Sequence, residues 1–217
     1  MKPCRVASCG APTSSRFSPH CRQHKSRLRR QGHPEQTAIK KSELAPYIVR
    51  VRERIDKNQE SPLWAHLDAI WHTIVGDARA AAGRQFQNRY QRQAANLILG
   101  LDVDCPPREI VVTTIAMFMF WSERQRRFVS DAAFRLQLVK RIRGLSSTHT
   151  GFRYDHKAGI QRPVYRELSP KAAAIVGHTL AVSFGAVGLQ LAKLEDRDQE
   201  RKERMKATIQ QAIQELA

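Results

Sequence analysis

Residues 106–127 read PPREIVVTTIAMFMFWSERQRR. From Ile110 to Trp121 there is no charge, and the apolar side chains fall on every side of a 3.6-residue helix, not on one stripe. Twelve residues are too few to span a bilayer, so the run describes a helix for the middle of a protein core. Pro106 and Pro107 suit its entry, and the helix is expected from about Arg108 to Arg126. A helix buried on all sides needs other helices around it, and the flanking sequence has to supply them.

It does. In PLWAHLDAIWHTIVGDARA (62–80), Trp64, Leu67, Trp71, Ile74, Val75 and Ala78 recur at i, i+3, i+7, i+10, i+11 and i+14, an amphipathic stripe. RQFQNRYQRQAANLILG (84–100) predicts a second helix that stops near Gly100, with LDVDCPP as a loop. Ser130 or Asp131 can cap a helix through AAFRLQLVKRIRG (132–144), ended by Gly144. The period then changes: FRYDHKAGIQRPVYREL predicts a β-hairpin over 152–167 with Gly159 in its turn and Pro163 on an edge strand. Ser169-Pro170 reads as a cap followed by proline at the first helical position of a long helix. Within it AIVGHTLAVSFGAVGLQLA (174–192) is long enough for a membrane span. His178, Gln190 and three glycines argue instead for a buried core helix, with His178 a satisfied core histidine and no membrane as partner.

The chain has 217 residues, a formal net charge of +17 and a pI near 10.5. Such a surplus implies a polyanionic partner. It is not spread evenly. Residues 1–41 carry +9, residues 42–121 are neutral, residues 122–192 carry +8, and residues 193–217 are neutral again. Two basic blocks flanking a neutral one suggest two contact surfaces on a scaffold.

Three of the four cysteines lie in the first 21 residues. MKPCRVASCG has no apolar run and is not an export signal, so the expectation is a soluble, cytoplasmic protein with reduced thiols. The spacing Cys4-x4-Cys9-x11-Cys21-x2-His24 offers four soft or borderline ligands in two pairs, as tetrahedral structural zinc requires. In SPHCRQHKSRLRRQG (18–32), Ser18 could cap a helix, Pro19 suits its first turn and Gly32 ends it. Cys21 and His24 would then share one face. His20 and His33 are competing ligands. Four protein ligands leave no position for a catalytic water, and Cys105 reads as an ordinary cysteine.

A Cys pair followed by a Cys-x2-His helix, an Arg-rich run and a Gly-x-Pro stop resembles the short zinc-binding modules at the ends of phage and mobile-element proteins, including some HNH-type endonucleases. The resemblance covers about 35 residues and implies a metal-stapled nucleic-acid-binding accessory without catalytic residues. The order of helix, loop, Arg-rich hairpin and Leu-Ser-Pro helix start over residues 130–175 resembles the recognition helix and wing of winged-helix proteins.

The expected architecture is therefore mainly α. A zinc-binding module spans 1–31, a linker 32–46, a helical nucleic-acid-binding domain with one basic hairpin 47–192, and a charged helix 193–217. The cations expected to meet nucleic acid are Arg22, Lys25, Arg27, Arg29 and Arg30 in the first block. In the second they are Arg135, Lys140, Arg141, Arg143, Arg153, Arg162 and Arg166, with Tyr154 and Tyr165 interleaved. DNA is preferred over RNA because a hairpin beside a basic helix suits grooves. One alternative is an adaptor subunit of a larger nucleoprotein complex that contacts guide RNA or DNA and partner proteins. Another is a nuclease built on Asp155-His156 with His149 nearby. Asp68 and His72, at i and i+4, are expected to form an exposed ion pair.

Overall fold

The structure, a computed structural model, describes residues 2–84, 88–147, 150–156, 159–164 and 168–215. Its helices are α1 (Arg22–Gln31), α2 (Lys41–Lys57), α3 (Pro62–Ala82), α4 (Arg89–Asp104), α5 (Pro107–Glu123), α6 (Asp131–Arg143) and α7 (Pro170–Glu215). A 3-10 turn (Gln125–Arg127) follows α5, and strands β1 (Gly151–Asp155) and β2 (Ile160–Val164) form an antiparallel pair between α6 and α7.

Helix α5 is the axis. Every residue from Ile110 to Phe120 is buried, and α2, α3, α6 and α7 pack around it. A lone stripe could not achieve this; apolar side chains on all faces can. The six stripe residues of α3 are all buried, as the spacing predicts. Around Phe120, the rings of Tyr47 and Phe128 lie 5.0 and 5.4 Å away, and Phe134 stacks edge-on with Phe118 and Phe128.

The glycines of α7 are contact points. A Cβ on Gly177 would come within 2.8 Å of the Arg135 Cβ, and one on Gly188 within 2.6 Å of the Phe118 Cβ. Small residues let α7 approach α5 and α6 at backbone distance. By length and composition α7 could cross a membrane, and 44% of its apolar window is buried in the bundle. The buried side carries Val176, Leu180, Phe184 and Leu191. His178 faces the other way and is exposed, which corrects the expected core histidine. One hundred degrees of helical rotation from Gly177 is enough to move it outside.

Three further expectations change. Helix α4 does not stop at Gly100 but runs to Asp104, because Ile98 and Leu101 are both buried and that outweighs about 1 kcal/mol for an internal glycine. It ends at Cys105, where the following Pro106 disfavours helical backbone. Asp68 pairs with Arg108, not with His72, whose side chain is exposed; two of the Arg108–Asp68 contacts are 3.1 Å. Helix α2 begins at Lys41, inside the stretch expected as linker, and its Glu43 accepts from the Lys40 N–H at 2.7 Å.

The rest of that stretch is bound to the bundle. Ile39 is buried, and its N–H donates to the Gln137 side chain at 3.1 Å. Gln36, also buried, donates to the Arg127 carbonyl and accepts from the Val129 N–H. Arg127 in turn donates to Thr37, Ala38 and Glu43. Buried polar groups are stable only when paired, and here each pairing anchors residues 36–43.

Helix α7 continues without a break through the charged tail. Ion pairs from Arg54 to Glu195 and Asp198 hold it against α2. Beyond them residues 199–211 are exposed throughout.

Candidate metal centre and adjoining basic face

The first 21 residues make almost no regular structure, yet their backbone is closely specified. Pro3 and Pro12 bridge antiparallel, Cys4 N–H donates to Ala11 O at 2.9 Å and Cys9 N–H to Val6 O at 3.2 Å. Ser8 and Gly10 adopt φ of +60° and +57°, which turns the chain sharply around Cys9. Arg5 N–H then bonds Pro19 O, and Ser14 N–H bonds His20 O, which fixes this small hairpin against the entry to α1.

That entry differs from expectation. The helix starts at Arg22, and Cys21 is its N-cap, its sulfur accepting from the His24 N–H at 3.5 Å. Ser18 does not cap; it holds His20 through a pair of bonds at 2.9 and 3.2 Å. At the other end Gly32 takes φ +87° and closes the helix on Leu28 O, as a left-handed glycine cap does.

Cys4, Cys9, Cys21 and His24 therefore converge, their ligand atoms all within 4.8 Å of one another. His24 Nδ1 lies 3.5 Å from the Cys4 sulfur and 3.3 Å from those of Cys9 and Cys21. One ring nitrogen cannot hydrogen-bond three sulfurs at once. The Cys9 and Cys21 sulfurs are 3.8 Å apart, far beyond a disulfide. Around a tetrahedral ion with metal–sulfur distances near 2.3 Å and metal–nitrogen near 2.0 Å, the edges are about 3.8 Å (S to S) and about 3.5 Å (S to N). The observed spacings lie close to those edges, and the four residues could hold a metal ion.

Of the competing ligands, His20 lies beside the Cys4 sulfur but outside the cluster, and His33 Nδ1 accepts from the Glu35 N–H. Burial pushes the Cys4 thiol up, but N–H groups of Cys21 and Val6 and the rings of His24 and His20 bring it down to about 6. Cys9 accepts from Ala11, yet desolvation and the adjacent sulfurs raise it. Cys105 is buried away from this cluster, where burial and then Asp104 and Glu109 raise its thiol.

On its other side α1 seats on α6. A Cβ at Gly32 would lie 2.9 Å from the Ala133 Cα, so the two backbones touch. Gln137, wholly buried on α6, donates to the Gln31 backbone and side chain while accepting from Ile39. Lys140 donates to Gln31 Oε1 at 2.8 Å and to Arg30 O.

The consequence is that the two basic blocks adjoin. Arg22, Lys25 and Arg29 of α1 face Arg135 of α6 across a cleft of about 780 Å3, whose floor is Leu28, Gly32, Ala132, Leu136, Pro170 and Ala174. A second hollow of about 340 Å3 is lined by Arg29, Arg30, Lys140 and Arg143, with Val164 at the hairpin's end and Leu168. Arg27 joins Arg22 and Arg30 on the outer face of α1. Among the described residues, no acidic side chain lines any of the three. Burial, followed by Arg141, Arg143 and Arg30, lowers Lys140 to about 8. Arg141 is half-buried, its Nε has no hydrogen-bond partner among the described residues, and burial pushes its pKa down against the opposing effect of Glu43. It lines none of the three hollows.

Helix α6 is thus not an open helix. Seven of its residues are buried, and α1 covers part of the side that the sequence suggests would be presented. The hairpin pairs Arg153 with Arg162, and Phe152, Tyr154, Ile160 and Val164 are all exposed. Asp155 accepts from Arg162 at 2.8 Å, and His156 stacks edge-on with Tyr154 at 5.0 Å. The carboxylate of the suggested nuclease pair is thereby engaged by a cation of its own strand pair. His149, Tyr165 and Arg166 lie outside the described residues.

Sequence reasoning missed the apolar floor of the larger cleft, since its residues come from three separate segments. It also missed Phe17, which is 82% exposed with the Arg16 guanidinium 4.5 Å from its ring centre. An aromatic beside cations in the first block was the available signal. No protein-family model, no curated protein and no solved structure matches the chain, so the reading of this site rests on its own geometry.

Proposed function

We propose that the chain is a zinc-containing nucleic-acid-binding protein. Its metal centre fixes the start of α1, and Gly32 and Gln31 at the other end seat the helix on α6, so that cations from two distant segments form one phosphate-binding face. The observation that carries this reading is that adjoining: Arg22, Lys25, Arg30, Arg135 and Lys140, together with Arg29 and Arg143, line neighbouring hollows, and no acid is among the described residues that line them. Phosphates are met by such clusters, and an exposed hairpin with Arg153, Arg162 and Tyr154 has side chains of the kind that contact groove edges. DNA is the preferred polymer on that ground.

Zinc is the ion best matched to three thiolates and one imidazole in a closed tetrahedral set. Its role is structural, because four protein ligands leave no position for substrate. Thiols kept reduced around an ion suit the cytoplasm.

The test is binding of the metal-loaded chain to duplex DNA over a salt series. Neutralising several phosphates makes log K fall linearly with log salt, at roughly 0.9 per phosphate. A flat response, or no binding at low salt, removes the reading. Metal analysis of the purified chain should return one zinc per chain, and none in a Cys9→Ser, Cys21→Ser double variant.

A second reading, an adaptor within a nucleoprotein complex, is favoured by one observation. Ile175 and Val182 on α7, and Met205, Ile209 and Ile213 on its projecting end, are exposed apolar residues. Weak free binding to nucleic acid combined with stable co-purification in a defined complex would favour it.

A further inference from the structure

Phosphate binding uses the cationic rim of the larger cleft and leaves its floor without a role. That floor is concave and apolar, and the cleft's volume of about 780 Å3 lies within the ~300–1,000 Å3 usual for small-ligand sites. At Gly32, which lines the cleft, α1 meets the Ala133 backbone of α6. A fully paired duplex keeps its bases stacked inside and shows the protein only its backbone and groove edges. An unpaired nucleotide differs on both counts: it can turn a flat, weakly polar base face inward while its phosphates remain outside.

Resting on the nucleic-acid reading above, we propose that the cleft between α1, α6 and the start of α7 seats one unpaired nucleotide of a strand. The base lies against Leu28, Leu136 and Ala174, and the flanking phosphates meet Arg22, Arg29 and Arg135. The guanidinium groups on the rim are planar cations that can also stack on a base face. Charge and shape then recognise different parts of one ligand. The protein prefers gapped or single-stranded nucleic acid to a continuous duplex, and the metal centre maintains that preference by keeping α1 as one wall.

The experiment compares the metal-loaded full chain on three labelled DNAs of equal length: a blunt duplex, the same duplex with a short central gap, and the single strand. With one base face buried on aliphatic side chains and within reach of a guanidinium plane, the gapped and single-stranded probes should bind about tenfold tighter than the duplex at equal salt. Ala174→Phe fills the floor from an exposed position on α7 and removes no charge. It should abolish that preference, bringing the gapped and single-stranded probes to the affinity of the duplex, and Ala132→Phe fills the same floor from α6 should the first variant fold poorly. Metal content and thermal melting confirm that the variants are intact.

Equal binding of all three probes by the unmodified chain would overturn the cleft assignment and leave the general nucleic-acid reading standing. A preference that survives both filling variants would also overturn it, by placing the discrimination elsewhere. Competition by a free mononucleotide at micromolar concentration would overturn it in favour of a small-molecule site. Failure of every probe to bind at low salt would instead remove the underlying reading.

Discussion

Helices α1 and α5 show two ways of holding a helix in place. Helix α5 has eleven consecutive buried residues and is fixed by packing on every side. Helix α1 has no buried residue at all. Its position is set at the ends: Cys21 and His24 enter the four-ligand cluster at its start, while Gly32 and Gln31 lock onto α6 at its finish. The first arrangement spreads its stability over many small contacts, and the second concentrates it in a few directional ones. A basic helix has little apolar surface to bury, so only the second arrangement lets it lie on a protein with its cations outward.

The contrast can be broken first at the metal. If the cluster holds zinc as proposed, stripping the ion should cost the N-terminal module on the order of 10 kcal/mol, the scale of structural zinc in small peptides. By hydrogen exchange the amides of α1 should lose protection while those of α5 keep theirs. Comparable loss in both helices would mean that the module and bundle are one cooperative unit. The converse change is Phe120→Ala, which should cost about 3–5 kcal/mol in urea unfolding and leave one ion per chain.

Gln137 joins the two regimes. Gln137→Ala would strand the Ile39 N–H and the Gln31 groups, for about 1–3 kcal/mol, and should release α1 and residues 33–40 before the bundle melts. The smallest effect concerns Lys140. Its pKa is about 8 when folded against an ordinary 10.5, so the unfolded chain holds more protons between those values. Stability attributable to this residue should therefore rise as pH climbs through that window, relieving the repulsion of Arg30, Arg141 and Arg143. Urea midpoints at pH 7.5 and 9.5 should show a larger rise for the native chain than for Lys140→Met. An equal rise would show that Lys140 is better solvated than its surroundings indicate.

Much of this was legible in the residues alone. The α5 run, the six-residue stripe of α3, the Gly32 stop and the Ser169 cap, whose hydroxyl accepts from the Ala172 N–H, all obey local periodicity or capping chemistry. The convergence of Cys4, Cys9, Cys21 and His24, which could hold a metal, was legible too, because residue type and spacing are local properties. What failed depended on neighbours far along the chain. Gly100 was overruled by the burial of Leu101, His178 by the side of α7 that meets α5 and α6, and Asp68 by Arg108 forty residues away. Arg141 adjoins Lys140 in sequence yet lines none of the hollows that Arg135, Lys140 and Arg143 line, because α6 is covered on several sides.

The sequence by itself determined a mainly helical bundle around one apolar helix, a hairpin, and a Cys3His set for a metal, since each follows from spacing and side-chain chemistry within a short segment. Only the tertiary structure decided that the two basic blocks meet. Gly32 on Ala133 and Gln31 on Gln137 are contacts across about a hundred residues, and no periodicity within either segment encodes them. The cleft between α1 and α6 exists because those contacts close.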